Sequence, residues 1–185
     1  MKYLNQMLLL FIVIVLSACG AGTTEEISDD RFDMWEYMTA TVNYEVEYAV
    51  YENGDQTDYY TEKHTMSKDT YKRTSSVGVT TLYLHKREIL MKEPSRDVTI
   101  ERYLHVGDNN IFQGDSIKNC KLEHFFKDFE NKGKHYNNVL MVACISKSGV
   151  EQEFYYGYNE GIVTMYENDH GSKKEWVKIS EKSIP

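Results

Sequence analysis

Residues 41–55 read Thr-Val-Asn-Tyr-Glu-Val-Glu-Tyr-Ala-Val-Tyr-Glu-Asn-Gly-Asp, and this stretch decides the fold. From Val42 onward, Val42, Tyr44, Val46, Tyr48 and Val50 alternate with Asn43, Glu45, Glu47 and Ala49. A period of two places the first set on one face of an extended strand and the second set on the other. One face is therefore apolar and the other meets water. The run ends at Glu52-Asn53-Gly54-Asp55, where Asn-Gly supplies the positive φ angles that a two-residue hairpin turn demands.

The same grammar extends in both directions. Strands are expected over 57–66, 70–77, 80–91 and 98–106, separated by turn chemistry at Ser67-Lys68-Asp69, Gly78 and Glu93-Pro94-Ser95. Residues 139–145 form a continuous apolar run, the pattern of a buried strand, and 152–158, 162–167 and 174–179 complete the set. Short strands with tight connections describe an antiparallel meander and exclude an α/β architecture.

Two segments carry a helical period. Leu122, Phe125, Phe126 and Phe129 fall at i, i+3, i+4 and i+7, which predicts a helix over 119–131, capped by Asn119 and ended by Gly133. Residues 31–39 predict a short helix after an Asp30 cap, with Phe32 and Trp35 three apart and Met34 and Met38 four apart. The expected fold is mainly β (α+β): a single antiparallel, curved sheet or incomplete barrel packed against one or two helices.

The amino end carries an address. Lys2 precedes an apolar run from Met7 to Leu16, about ten residues long and short of the roughly 20 that span a bilayer. This is the layout of a secretory signal. It is followed by Leu16-Ser17-Ala18-Cys19-Gly20, which resembles the lipobox of bacterial lipoproteins. The resemblance implies cleavage before Cys19, lipid on the Cys19 thiol, and a domain held outside the cytosol at the cell membrane or outer membrane. Gly20 stands where enteric lipoproteins retained at the inner membrane carry aspartate, which leans towards the outer membrane. Residues 1–18 then form the leader, 19–30 a small, polar, acidic tether, and 31–185 a single β-rich domain.

The remaining cysteines, Cys120 and Cys144, form an even pair in an exported domain, the usual signature of one disulfide. The bridge would pin the expected helix to the sheet; the alternative is one buried thiol and one reactive one. The chain holds 21 Lys+Arg and 29 Asp+Glu, a formal net charge of −8, and loss of Lys2 with the leader brings it to −9. Such a surface repels phosphate backbones, so nucleic acid is excluded as a partner.

Catalytic signatures are missing. No two of His64, His85, His105, His124, His135 and His170 lie within five residues of one another, and neither Gly-x-Ser-x-Gly nor a glycine-rich phosphate loop occurs. No metal and no cofactor are expected. The order of helix, long meander, second helix and returning strands is similar to the LolA/LolB-like fold, whose curved sheet encloses a cavity for acyl chains. Tyr71-Lys72-Arg73 and Gly161-Ile162-Val163-Thr164-Met165-Tyr166 resemble that family's early and late strands. The resemblance implies a lipid-like ligand and names Arg73 as a candidate contact. The residue pattern adds Val42, Tyr44, Val46 and Tyr48 as one wall, with Leu122, Phe125, Phe126 and Phe129 opposite. These residues line either a hollow interior or a filled core. The leading expectation is a non-catalytic, membrane-anchored binding module for a lipid-like ligand or an envelope protein. The alternative is a structural or assembly subunit of an envelope or secretion complex, with an envelope enzyme behind both.

Overall fold

The structure, a computed structural model, describes residues 30–185. The leader, the Cys19 lipid site and the tether up to residue 29 lie outside the described residues.

A two-residue strand β1 (Phe32–Asp33) leads into helix α1 (Met34–Met38). Asp33, and not Asp30, caps this helix: its carboxylate accepts the Trp35 backbone N–H at 3.1 Å. The rest is strand. The first half of the chain contributes β2 (Tyr44–Glu52), β3 (Asp55–Ser67), β4 (Thr70–Ser75), β5 (Gly78–Leu84), β6 (Glu88–Lys92), β7 (Asp97–Glu101) and β8 (Tyr103–Leu104). The second half contributes β9 (Phe112–Gln113), β10 (Ile117–Asn131), β11 (Lys134–Ser146), β12 (Glu151–Gly157), β13 (Gly161–Asp169) and β14 (Ser172–Ser183). The run expected as one strand over 80–91 is two, β5 and β6, because the chain turns at 85–87.

Twelve strands form one antiparallel sheet in the order β10-β11-β12-β13-β14-β2-β3-β4-β5-β6-β7-β9, while β1 pairs separately with β8. Almost every neighbour is a chain neighbour. The exceptions are β7 with β9, which skips the short β8, and β14, which pairs with β2 from Lys174↔Glu52 to Ser183↔Tyr44 and so joins the last described strand to the first long one. The sheet curls into a nearly closed barrel. Its two edges meet through the segment before β9: Ile111 N–H donates to the Cys120 carbonyl, Leu122 N–H to Asp108, and Gly107 N–H to Leu122. These bonds occupy edge groups that would otherwise be open to pairing.

The predicted helix over 119–131 is the main correction. Those residues are strand β10, paired with β11 along its length, so the barrel is nearly all β and is not a sheet packed on helices. The helix-like spacing arises because β10 is apolar on both faces and irregular. A register shift falls between Leu122 and His124, and opposite Lys127 the residue Asn138 takes φ 55°. Leu122 and Phe125 pack in the barrel interior, whereas Phe126 and Phe129 pack outside it with Tyr155, Tyr136, Val139 and Val163. Gly133 ends no helix; with φ 76° it follows Lys132 (φ 48°) in a two-residue hairpin turn. The β10–β11 tip then leans back over the outer face. The Tyr136 hydroxyl and the Lys134 ammonium donate to the Lys178 carbonyl, and Asn131 donates to Glu175.

Successive turns of an antiparallel meander lie at alternate ends. The end holding turns 68–69, 85–87 and 158–160 is stoppered by α1. Asn159 N–H donates to the Glu36 carbonyl, Met34 N–H to Arg102, and Ala40 bridges Glu160. Met34, Trp35, Tyr37 and Met38 are all buried in the main core. Arg102 grips Asp33 with two guanidinium nitrogens, at 2.9 and 2.6 Å. The opposite end holds turns 53–54, 76–77, 93–96 and 147–149 and has no comparable stopper among the described residues.

Candidate functional site

Below the unstoppered end the barrel is hollow. A cavity of about 490 Å3 reaches inward from a rim of Val77, Glu93, Arg96, Ser116 and Ser146. Volumes of this order hold one small molecule or a single-chain amphiphile. Gly78 shapes the rim: at φ 138°, a Cβ there would meet Pro94 Cγ at 2.6 Å, so only glycine lets these turns approach. Val77, at the tip of the same turn, is 78% exposed.

The walls follow from strand parity, with a register shift between β12 and β13 at Tyr155–Tyr156 that keeps Ile162 and Met165 on one face although they are three apart. β12 turns Phe154 and Tyr156 inward and β13 turns Ile162 and Met165 inward, while β14 supplies Trp176 and β2 supplies Tyr48. Opposite them stand Met91, Val98 and Phe112. The disulfide itself is part of this wall. Cys120 and Cys144 are directly opposed on β10 and β11, with Cα atoms 4.1 Å apart, so the expected bridge is present but joins two strands.

Two ionised side chains enter this apolar lining from adjacent strands, Glu62 on β3 and Arg73 on β4. Glu62 is engaged through both oxygens: one accepts from the Tyr60 hydroxyl at 3.1 Å and the other from His64 Nε2 at 2.9 Å. Burial pushes its carboxyl up, but the His64 hydrogen bond and the Arg73 charge outweigh that and hold it below the ordinary value. Burial pushes His64 down, offset in part by Glu62, so its ring is neutral near pH 7. With Nε2–H donated to a carboxylate, Nδ1 accepts from the Tyr71 hydroxyl at 2.6 Å. Tyr71 lies 3.2 Å from the Tyr44 hydroxyl, which also reaches the Glu160 carbonyl at 3.2 Å. Burial raises Tyr71 to about 12, against the lowering pull of the Tyr44 hydrogen bond and the Arg73 charge. The layer of His64, Tyr71 and Tyr44 forms a polar floor between the cavity and the stopper, with none of the three in the cavity lining.

Arg73 is differently placed. Its Nη2 donates to Met91 Sδ at 3.9 Å, a weak contact, and its buried Nε has no partner among the described residues. Burial would push the guanidinium down, but the Glu62 carboxylate and the nearby Tyr156, Tyr48 and Tyr71 hold it above its ordinary value.

Of the residues expected to contact a ligand, Tyr48 and Arg73 line the cavity. Tyr44 and Val46 are buried beside it; Val42 is 52% exposed and precedes β2. Leu122 and Phe125 belong to the interior core, and Phe126 and Phe129 to the outer cluster. Sequence reasoning missed Glu62, Tyr156, Phe154, Met165 and Trp176. The available signal was parity, since Phe154 and Tyr156 alternate as Tyr44 and Val46 do. Among the described residues no group of three or more His, Cys, Asp or Glu is placed to hold a metal ion.

These features define a stoppered antiparallel β-barrel with a ligand-sized cavity open at the far end. No family model and no curated protein matches the chain. Among solved structures it is similar to a Bacteroides fragilis protein described as exported and as having a YmcC-like fold. The TM-score is 0.53 at 8% identity, with 80% of this chain and 99% of that one covered. That likeness shows a shared fold. The LolA/LolB resemblance depended on a second helix that the chain does not form.

Proposed function

We propose that the chain is a non-catalytic binding protein of the cell envelope whose lipid-like ligand occupies the barrel interior. The observation that carries this reading is the cavity of about 490 Å3, apolar and aromatic in its walls and open at one end. A fold specifying only a packed core would fill such a space, because voids larger than a water molecule are few in native interiors. The lipobox-like leader, the disulfide and the exported character of the B. fragilis protein support an envelope location. Lipid on Cys19 supplies the anchor in this reading, since a net negative surface gains nothing from anionic headgroups.

The test uses the full chain extracted from membranes. Intact mass is expected to place the mature amino end at Cys19 with added acyl mass. Titration with Nile red, a neutral apolar fluorophore, is expected to saturate at one site per chain. Met165→Trp, which puts bulk into the cavity, is expected to weaken that binding at least tenfold while the melting temperature changes little. Absence of saturable binding would remove the ligand; a mature chain without acyl mass would remove the anchor.

A further inference from the structure

The cavity is not uniformly apolar, and its one unsatisfied feature points to a ligand chemistry. A guanidinium carries five N–H donors in a planar fork. In the described residues, Arg73 spends one on a sulfur at 3.9 Å and leaves Nε buried without a partner. Burying a cation is costly unless it is paired and hydrogen-bonded. Glu62 lowers that cost through its field, but its oxygens point to Tyr60 and His64 and, among the described residues, it forms no ion pair with Arg73. The carboxylate that could have closed the Arg73 fork is therefore turned towards its own strand. The Arg73 side chain lines a cavity whose walls between the polar rim and Glu62 are mostly aromatic and aliphatic, with Thr80 and Gln152 among them.

We infer that this seat receives the oxyanion of an amphiphilic ligand. The anionic head binds inward against Arg73 and the apolar tail runs past Phe154, Met165 and Trp176 towards the rim. The inference rests on the ligand reading above and adds its polarity and direction. Carboxylate and phosphate share the chemistry, since both offer two oxygens to a guanidinium fork, and such charge-assisted pairs are roughly twice as strong as neutral hydrogen bonds. Tyr48 and Tyr156 flank the seat; the Tyr48 hydroxyl donates to the Ile162 carbonyl at 3.0 Å and so leaves the cation to the ligand. At the rim, Arg96 is held by Glu93 and contacts Ser116, so it is not a competing free fork.

Displacement of Nile red from the full chain tests this, with four single-chain competitors of equal length kept below their micelle concentrations. These are dodecanoate, dodecyl phosphate, dodecanol and dodecylammonium. At least one anion is expected to compete tenfold or more better than dodecanol, and the better of the two identifies the head as carboxylate or phosphate. Arg73→Met is expected to bring the anions within about threefold of dodecanol, all four competitors being compared on the same variant so that any change in Nile red affinity cancels. Arg73→Lys, which keeps charge and loses the fork, is expected to retain part of the preference. Equal competition by anion and alcohol in the wild type, or preference for the ammonium, would overturn the seat while leaving the cavity reading intact. If Nile red itself does not bind, both fall. The wild-type comparison decides the question even if Arg73→Met fails to fold.

Discussion

At the scale of single residues, the buried chain Glu62–His64–Tyr71–Tyr44 sets how the protein responds to acid. His64 in the fold holds its proton less tightly than its reference value of 6.5, first because it is buried. As pH falls through about 6.5 the unfolded chain takes up a proton that the folded ring resists, so stability falls. Glu62 acts in the same direction at lower pH. Its folded pKa lies below the reference 4.5, so the stability it contributes above that value is lost as pH falls through the folded pKa. Urea midpoints are therefore expected to decline from pH 7.5 to 5.5, most of all below 6.5. His64→Gln should lower the stability at pH 7.5 by the cost of a disrupted buried network, about 1–3 kcal/mol, and flatten the pH dependence of the midpoint. A wild-type midpoint constant over that range would refute the assignment. This cluster was not legible beforehand. The run Gln56–Ser67 is polar on both faces, so nothing in it says which side turns inward. By contrast, Tyr44, Val46 and Tyr48 could be read inward directly, because glutamates separate them.

At the scale of elements, β10 and β11 show where reading by period fails. A strand covered on one face alternates, but β10 is covered on both, by the barrel core inside and by the Phe126–Phe129–Tyr155 cluster outside. Once every second residue need not be polar, a register shift suffices to make apolar spacing look helical. The cysteines were the better guide. Their pairing followed from count and context, and only the element holding Cys120 was misassigned. The bridge spans 24 residues of sequence, and Cys120 also accepts the Ile111 N–H at the seam of the barrel. Replacing both cysteines by alanine is expected to destabilise the fold by about 3 kcal/mol in the chain-entropy picture. That corresponds to a melting temperature lower by roughly 6–12 °C. Faster amide exchange at Ile111 and Leu122 should accompany it, because the seam loses its clamp. Calorimetry finding the oxidised wild type and the double variant within a degree of each other would count against this.

At the scale of the whole molecule, antiparallel curvature was legible, but the closing of the barrel was not. No local pattern announces that β14 pairs with β2, since this contact joins residues more than 100 apart, and sequence periods report only neighbours. The stopper was half legible: the 31–39 pattern predicted a helix, while its position across one end depends on the distant partners Arg102 and Asn159. A chain cut before Ser172 is expected to lose the cooperative fold altogether, because β13 and β2 would then face each other with unpaired edges. Circular dichroism and size exclusion would check this. A compact, cooperatively melting product would show that β14 is dispensable.

The pairing of β2 with β14 also sets an order of events in time. A nascent chain emerges with its amino end first, yet its first long strand has only one of its two partners until residue 183 is out. Closure of the barrel therefore waits until β14 has been made, a delay expected wherever loop closure over a long distance must precede the reward of contact. Until then the barrel cannot close, so a chain passed through a narrow pore ahead of β14 would take its shape on the far side.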